Sequence, residues 1–482
     1  MVLEALIRAL APLDALGDVR VAVGALAHDT REVEAGALFF CLRGATVDGH
    51  ALAAEALAAG AVALVVDHPL DLPAPQVVVE DVRAAMAIAA AAFHGDPTTH
   101  LDVVGVTGTN GKSTTAILLR AMLEAAGRAT GLVGTIEWVV GGEHRPAPHT
   151  TPEATELQRL FRAMVDAGDD AAVIEASSHG SHFHRLDRVR FAALAFTNLT
   201  QDHLDLHGDM EEYFLAKRRL FTGVTSPPAA VNVGDPYGRR LADELIAAGR
   251  APVVTFGLRP DAEVRPDALE LGPNGSRFTA GGIAIETPLL GVFNVENVLA
   301  AVAAGLLLDL EDDAIAAGVR AVASVPGRFE PVDEGQGFAL VVDYAHTPDA
   351  LDRVLQAARS LGGGELTVVF GAGGDRDRDK RRAMGETARR WANRVVVTTD
   401  NPRSEQPLQI IEEILQGAGA DVEIELDRRA AIRAAIKRAA PGDVVVIAGK
   451  GHEQGQEVAG VVQPFDDREV AREALRERMG RE

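Results

Sequence analysis

A chain of 482 residues has the length of about three ordinary domains. Its formal charge of −23 argues against nucleic acid and anionic membrane surfaces as partners, because both are bound by neutralising phosphates. The single cysteine, Cys41, excludes an internal disulfide and a thiolate metal cluster, and no apolar run approaches the roughly 18 residues of a membrane span.

The first residues, Met1-Val2-Leu3-Glu4, lack a basic stretch leading into an apolar core. That predicts no signal peptide and a cytoplasmic protein. The polar segment 94–100, with Pro97, reads as a linker. The apolar run 101–106 predicts a buried strand. It passes into Gly108, Thr109, Asn110, Gly111, Lys112, Ser113 and Thr114, and then into helical spacing at Ile117, Leu118, Met122 and Leu123. A strand, a glycine loop and a helix start make a phosphate cradle, because backbone N–H groups and the positive helix end face an anion. Lys112 is placed to reach outer phosphates, and Ser113 or Thr114 to hold magnesium. The pattern departs from the usual one in carrying Val106 where a first glycine stands.

Further along, 171–174 reads as a strand ending in Glu175, and 192–196 as one running toward His203. Both ends are expected on the same sheet edge as the phosphate loop. Glu175 suits magnesium, which takes one or two carboxylates beside phosphate oxygens. An isolated histidine such as His203 has a structural role as its default, since imidazole suits softer metals. Lys217 lies on the helical stretch 211–221, where residue type alone makes it a solvated surface lysine.

The turn-rich segment 324–328 predicts a second linker, giving domains of 1–98, 99–326 and 327–482. The last contains four valine-rich runs, 339–342, 366–370, 394–397 and 443–447, separated by helical patterns. Such alternation predicts parallel strands with crossover helices. Each run ends in a polar cluster, and the clusters include His346, Arg376, Asp400 to Arg403 and Gly449 to Glu453. All four fall at the carboxyl edge, where open α/β sheets bind ligands.

These motifs together resemble the Mur ligases of peptidoglycan synthesis. The resemblance spans nearly the whole chain: Asp29-Thr30-Arg31 and Asp48-Gly49-His50; the Gly108 to Ser113 loop, Thr150-Thr151-Pro152, Glu175 to His179, His203-Leu204-Asp205, Lys217 and Asn294 to Asn297; then Pro326-Gly327-Arg328, Tyr344 to Asp349, Gly373 to Arg376, Asp400 to Arg403 and Gly449 to Glu453. It implies an α/β protein of three domains: an N-terminal α/β domain for a UDP-linked substrate, a central P-loop ATPase-like domain with a parallel sheet, and a C-terminal Rossmann-like domain. It implies carbamylation of Lys217 by carbon dioxide, and it makes His203 a magnesium ligand beside Ser113 and Glu175. It sets Asn294, Asn297, Arg328 and Asp349 near ATP. Thr30, Thr150, Thr151, Ser177 and Arg185 match positions for the UDP-muramoyl substrate, while Phe183 stands where some members carry glutamine.

In the resembling ligases, the pattern Asp400, Asn401, Pro402, Arg403 goes with meso-diaminopimelate as the added amino acid. The logic is physical: diaminopimelate has a distal carboxylate that lysine lacks, and a guanidinium grips it at two points. Such a charged hydrogen bond is worth roughly 1.5–3 kcal/mol. Arg403 is the leading candidate, with Arg376 close by, and Gly449 and Glu453 receive the distal amino end. The implied reaction is ATP-driven amide formation through an acyl phosphate, on small-molecule substrates, by a monomer without membrane insertion. L-lysine or another diamino acid is the alternative substrate. No residue is singled out as the base for the amine, although His203 and His346 qualify by type. Closure about a hinge near 325–328 is expected. The rival readings are a folylpolyglutamate synthetase, a P-loop hydrolase or motor, and a non-catalytic binder.

Overall fold

The computed structural model describes residues 1–44, 47–223 and 226–480. The first part is built on a five-stranded sheet. Its strands Asp14–Leu16, Ala25–Ala27, Ala37–Phe40, Ala61–Val66 and Gln76–Val78 run in spatial order first, fifth, fourth, third, second. The 61–66 strand is almost wholly buried, as its unbroken run of Ala, Val and Leu requires. Helix Val82–Phe93 covers one face. Its N-terminus is capped by the Asp81 carboxylate, which accepts from the N–H groups of Arg83 and Ala84.

The central part holds an eight-stranded sheet. Three adjacent parallel strands form its middle: β1 (Asp102–Thr107), flanked by β2 (Ala171–Glu175) on one side and β3 (Phe191–Phe196) on the other. Glu175 pairs in register with Val106, and Phe196 with Thr107, so all three strands end at one edge. The sheet is not parallel throughout. Strands Glu137–Val140 and Glu143–Pro146 extend one edge in antiparallel fashion. A separate three-stranded antiparallel sheet spans Asp267–Gly272, Gly275–Ala280 and Ile283–Thr287, with alternating burial along its last strand. Helix α1 (Lys112–Ala125) follows β1, and α2 (Met210–Arg218) follows β3. Helix α3 (Val292–Leu307) is apolar nearly all round, and it is accordingly sunk in the central core.

The last part contains β4 (Ala339–Asp343), β5 (Leu366–Phe370), helix α4 (Asp379–Trp391), β6 (Arg394–Val397) and β7 (Val444–Ala448). The four strands are parallel, in the spatial order β4-β7-β5-β6, so the four clusters after them do share one edge. Val325 packs into the central core and Phe329 into that of the last part. Between them Gly327 has φ +63, and a Cβ there would collide with the backbone of Gly451 and His452. Only glycine allows this crossing.

Candidate active site

The edges of the central and last sheets face each other across one cavity of about 770 Å3. Its wall contains both Lys112 and Arg403. On the central side, α1 starts immediately after Gly111, which has φ +88 and no room for a side chain because Asn297 Oδ1 lies where its Cβ would be. Asn297 is itself held by Asn294, whose Oδ1 accepts from Asn297 Nδ2 at 2.9 Å. Thus Asn297 lines the cavity, while Asn294 braces it from behind. Thr109 to Thr114 line the cavity too. Lys112 Nζ folds back to donate to the carbonyls of Gly108 (3.0 Å) and Thr109 (2.8 Å). Burial, then the Arg328 guanidinium, lower its pKa, against the pull of Glu175 and Asp202.

Glu175 is 2 % exposed. Its two oxygens accept from the Thr135 N–H (2.8 Å) and hydroxyl (2.9 Å), so Thr135 fixes its direction. Thr135 is a site residue that sequence reasoning missed. His203 sits in the left-handed region with φ 55, a conformation costing about 1 kcal/mol or more that needs support from its surroundings. Its ring packs edge-on against His179 at 4.7 Å. The wall around it, together with His179, Lys112 and Lys217, lowers its pKa despite the opposing charge of Asp202. Burial of the ring is the largest cause, and the lysines add to it.

Lys217 corrects the reading made from residue type. It is 1 % exposed, it does not line the cavity, and its Nζ donates to Gly108 O at 3.0 Å from behind the phosphate loop. The ammonium lies 4.7 Å over the Tyr213 ring. Burial first, and Lys112 second, hold its pKa well below the usual lysine value. Helix α2 turns this face inward because Tyr213, Phe214 and Lys217 share its buried side.

Across the cavity, Arg403 also adopts a left-handed backbone (φ 51). Its Nη1 donates to Gly374 O at 2.6 Å, and its Nε lies 3.6 Å from Glu457. Arg376 reaches the cavity from the neighbouring loop, and Asp400, Asn401, Gly449 and Glu453 complete that end. Pro402 lies behind the wall. Lys450, fully buried, donates to Asn401 Oδ1 (2.9 Å) and Glu453 Oε2 (3.0 Å), and Asn401 Nδ2 donates to the same Glu453 oxygen at 2.7 Å. Glu453 is therefore positioned by two donors on one oxygen.

Arg328 donates to Ser113 Oγ at 3.0 Å and lies over Tyr344 at 4.4 Å. Asp349 accepts from Asn110 Nδ2 at 3.1 Å. Both contacts join the last part to the phosphate loop. Toward the first part, Thr150, Thr151, Ser177 and Arg185 line the cavity, whereas Thr30 does not. Arg185 pairs with Glu153 at 2.6 Å. Phe183 is a platform under two guanidiniums, Arg83 at 4.7 Å and Arg185 at 5.7 Å, which accounts for an aromatic ring at a position open to a polar side chain. Elsewhere, His50, Asp67 and His68 come together in the first part, but the Asp67 carboxylate is already paired with Arg43 at 2.7 Å.

Comparison with known proteins gives the same picture in family terms. Three family models match: the Mur ligase family catalytic domain over residues 23–94, the Mur ligase middle domain over 106–305, and the Mur ligase glutamate ligase domain over 327–451. A UDP-N-acetylmuramoyl-L-alanyl-D-glutamate–2,6-diaminopimelate ligase of Streptomyces coelicolor is 46 % identical, covering 94 % of this chain and 93 % of its own length. One from Geobacter metallireducens is 45 % identical over 99 % of both. A solved structure of a protein with that name superposes with a TM-score of 0.70 at 33 % identity, covering 98 % of this chain and 99 % of that one. A folylpolyglutamate synthase of Mycobacterium tuberculosis, at 20 % identity and TM-score 0.65, covers 83 % of this chain and 96 % of its own, and shares the fold alone. With its phosphate loop, its facing arginine edge and near full-length relatives at this identity, the chain belongs to the Mur ligase family.

Proposed function

We propose that this chain is an ATP-dependent amide ligase that joins meso-2,6-diaminopimelate to the D-glutamyl side-chain carboxylate of UDP-N-acetylmuramoyl-L-Ala-D-Glu, in the cytoplasm. The observation that carries this reading is the shared cavity. The phosphate-binding Lys112 and the carboxylate-gripping Arg403 face one space, with Thr150, Thr151, Ser177 and Arg185 between them and the first part.

A carboxylate is a poor acyl donor, because its leaving group would be oxide. Transfer of the γ-phosphoryl of ATP makes it an acyl phosphate. The diaminopimelate amine then attacks the acyl carbon, the C–O bond to phosphate breaks, and the amine loses a proton. Lys112 releases its two loop carbonyls and turns to the phosphates, so that its charge acts where negative charge gathers. The donor set of Ser113 hydroxyl, Glu175 carboxylate and His203 imidazole, with a carbamate on Lys217, fits magnesium, which when bound would offset charge on the phosphoryl oxygens. A carbamate suits Lys217 because its amine is buried, lacks a carboxylate partner among the described residues, and is held toward the reactive neutral form beside the countercharge of Lys112. Asn297 and Arg328 would border the nucleotide, with Asn294 bracing Asn297 and Asp349 holding Asn110 of the phosphate loop.

Arg403 selects the amino acid. It uses one guanidinium N–H on Gly374 O and keeps others for a distal carboxylate. Glu453, with one oxygen held by Lys450 and Asn401, offers the other to the distal ammonium. L-lysine would leave the remaining guanidinium N–H groups without a substrate carboxylate.

Phosphate release in the presence of UDP-muramoyl dipeptide and ATP tests this directly. Turnover is expected with meso-diaminopimelate and at least tenfold less with L-lysine at equal concentration. Arg403→Ala should lower kcat/KM for diaminopimelate by about 10- to 100-fold while leaving lysine nearly untouched. Equal turnover of the two amino acids by the unaltered chain would refute the role given to Arg403.

A further inference from the structure

Most cations of the cavity wall are engaged. Lys112 is tied to two carbonyls, Arg328 to Ser113, Arg353 to Glu296 at 2.9 Å, Arg185 to Glu153, and Arg403 to Gly374. Among the described residues Arg376 has no such tie, but it is exposed, so water solvates it. Lys380 differs from all of them. It is the second residue of α4, it is 7 % exposed, and it lines the cavity. Among the described residues no carboxylate or carbonyl is bonded to its ammonium.

A buried ammonium without a partner is unfavourable unless an anion arrives to offset it. Lys380 faces the phosphate-loop end of the cavity. Its charge acts on Asp202 and on His346, and Asp202 also feels Lys112. Asp202 and His346 approach each other to 3.9 Å across the junction of the central and last parts. One carboxylate therefore sits between two lysines, beside two histidines whose burial favours the neutral ring, so the two ammoniums outnumber the carboxylate and leave room for an anion. The Arg403 end, by contrast, carries Asp400 and Glu453.

We propose that Lys380 is a further catalytic residue, donating hydrogen bonds to the phosphoryl group as it passes from ATP to the glutamyl carboxylate. The inference rests on the ligase reading above. In that step the bond from γ-phosphorus to the ADP oxygen breaks and a bond from phosphorus to a carboxylate oxygen forms. The electron pair leaves with ADP, and no proton changes place. Lys112 approaches the phosphoryl oxygens from the central side and Lys380 from the opposite one. Neither domain alone supplies both, so transfer waits for the two edges to meet.

The test follows movement of 18O between the bridging and non-bridging positions of ATP, with UDP-muramoyl dipeptide present and diaminopimelate absent. Lys380→Met should slow this exchange by about 100-fold or more. Its KM for diaminopimelate, read from the residual ligation, should stay within about threefold. Lys380→Arg should recover a measurable part of the exchange. Lys380→Met should also bind ATP and unfold at the same temperature or higher, since the substitution removes a buried unpaired charge. Exchange at the unaltered rate in Lys380→Met, a raised KM for diaminopimelate with intact exchange, or loss of the fold would each overturn the assignment. Absence of dipeptide-dependent exchange in the unaltered chain would overturn the ligase reading, and this assignment with it.

Discussion

Lys217 shows how far one residue's surroundings reverse its type. On sequence it is one basic residue of three in Lys217-Arg218-Arg219; in the fold its neighbours on α2 point it at the back of the phosphate loop. Its lowered pKa has a consequence for stability, and the sign can be worked out. In the folded chain the amine gives up its proton at a pH well below the usual 10.5, whereas the unfolded chain keeps it until about that value. Between those two limits the unfolded state binds more protons, so raising pH favours the fold; above about 10.5 the gain is complete. Denaturation of Lys217→Met in carbon dioxide-free buffer should therefore show a shallower rise of stability on the alkaline side than the unaltered chain. Parallel profiles for the two would mean that the amine remains charged in the fold.

At the scale of elements, the loops that hold Arg376 and Arg403 are tied by a side chain with no apparent function in the sequence. Arg381, on α4, is fully buried. Its guanidinium donates to Gly373 O at 3.0 Å, to both oxygens of Glu405 at 2.9 and 3.0 Å, and to Glu413 at 2.8 Å. Removing one partner of such a buried pair costs about 3–5 kcal/mol. Arg381→Met should lose stability of that order and raise the KM for diaminopimelate with little change in ATP binding. The pH profile gives a second check. Hydrogen bonding to Arg381, the largest cause, lowers the Glu405 pKa from 4.5 to about 2. The stability this contributes is full above 4.5 and is lost as pH falls toward 2, so Arg381→Met should lack that acid limb. Chemical denaturation between pH 2 and 6 would read both effects.

The same elements mark what was legible in the chain. The strand ends at Val106, Glu175 and Phe196, and the four carboxyl-edge clusters, follow from apolar runs broken by polar residues, a pattern written locally. Thr135, Lys380 and Arg381 were not legible, because their importance arises from partners or cavities 20 to 50 residues or more away, or in another domain. The left-handed backbones of His203 and Arg403 were equally hidden. Neither residue is glycine, and only the surrounding contacts hold them there. The antiparallel extension of the central sheet was missed for a different reason: Glu143–Pro146 is exposed and polar and carries little periodicity.

For the whole molecule, the decisive question is how two edges on separate domains come to act together. The connection is narrow. Val325 belongs to the central core, Phe329 to the last, and the turn between them is pinned by Gly327 against Gly451 and His452. That packing makes the turn travel with the last domain, so the pivot lies at or before Pro326. The polar contacts that bridge the domains, Arg328 to Ser113, Asn110 to Asp349 and Arg353 to Glu296, cluster at the phosphate loop, beside one apolar contact in which Phe293 of the central domain packs edge-on against Phe329 at 5.4 Å. Polar bridges in a wet cleft are individually weak, which suits an interface that opens and closes. Gly327→Ala should wedge the turn away from Gly451, because alanine is strained at φ +63 and its Cβ has no space. Small-angle scattering should then show a larger radius of gyration that ATP and UDP-muramoyl dipeptide do not reduce, whereas the unaltered chain should compact with both ligands. The variant should still bind ATP, since the loop from Gly108 to Thr114 lies wholly in the central domain, and it should fail to form the amide. Identical scattering with and without ligands in the unaltered chain, or normal ligation by Gly327→Ala, would show that the catalytic edges are fixed together and that no swing is required.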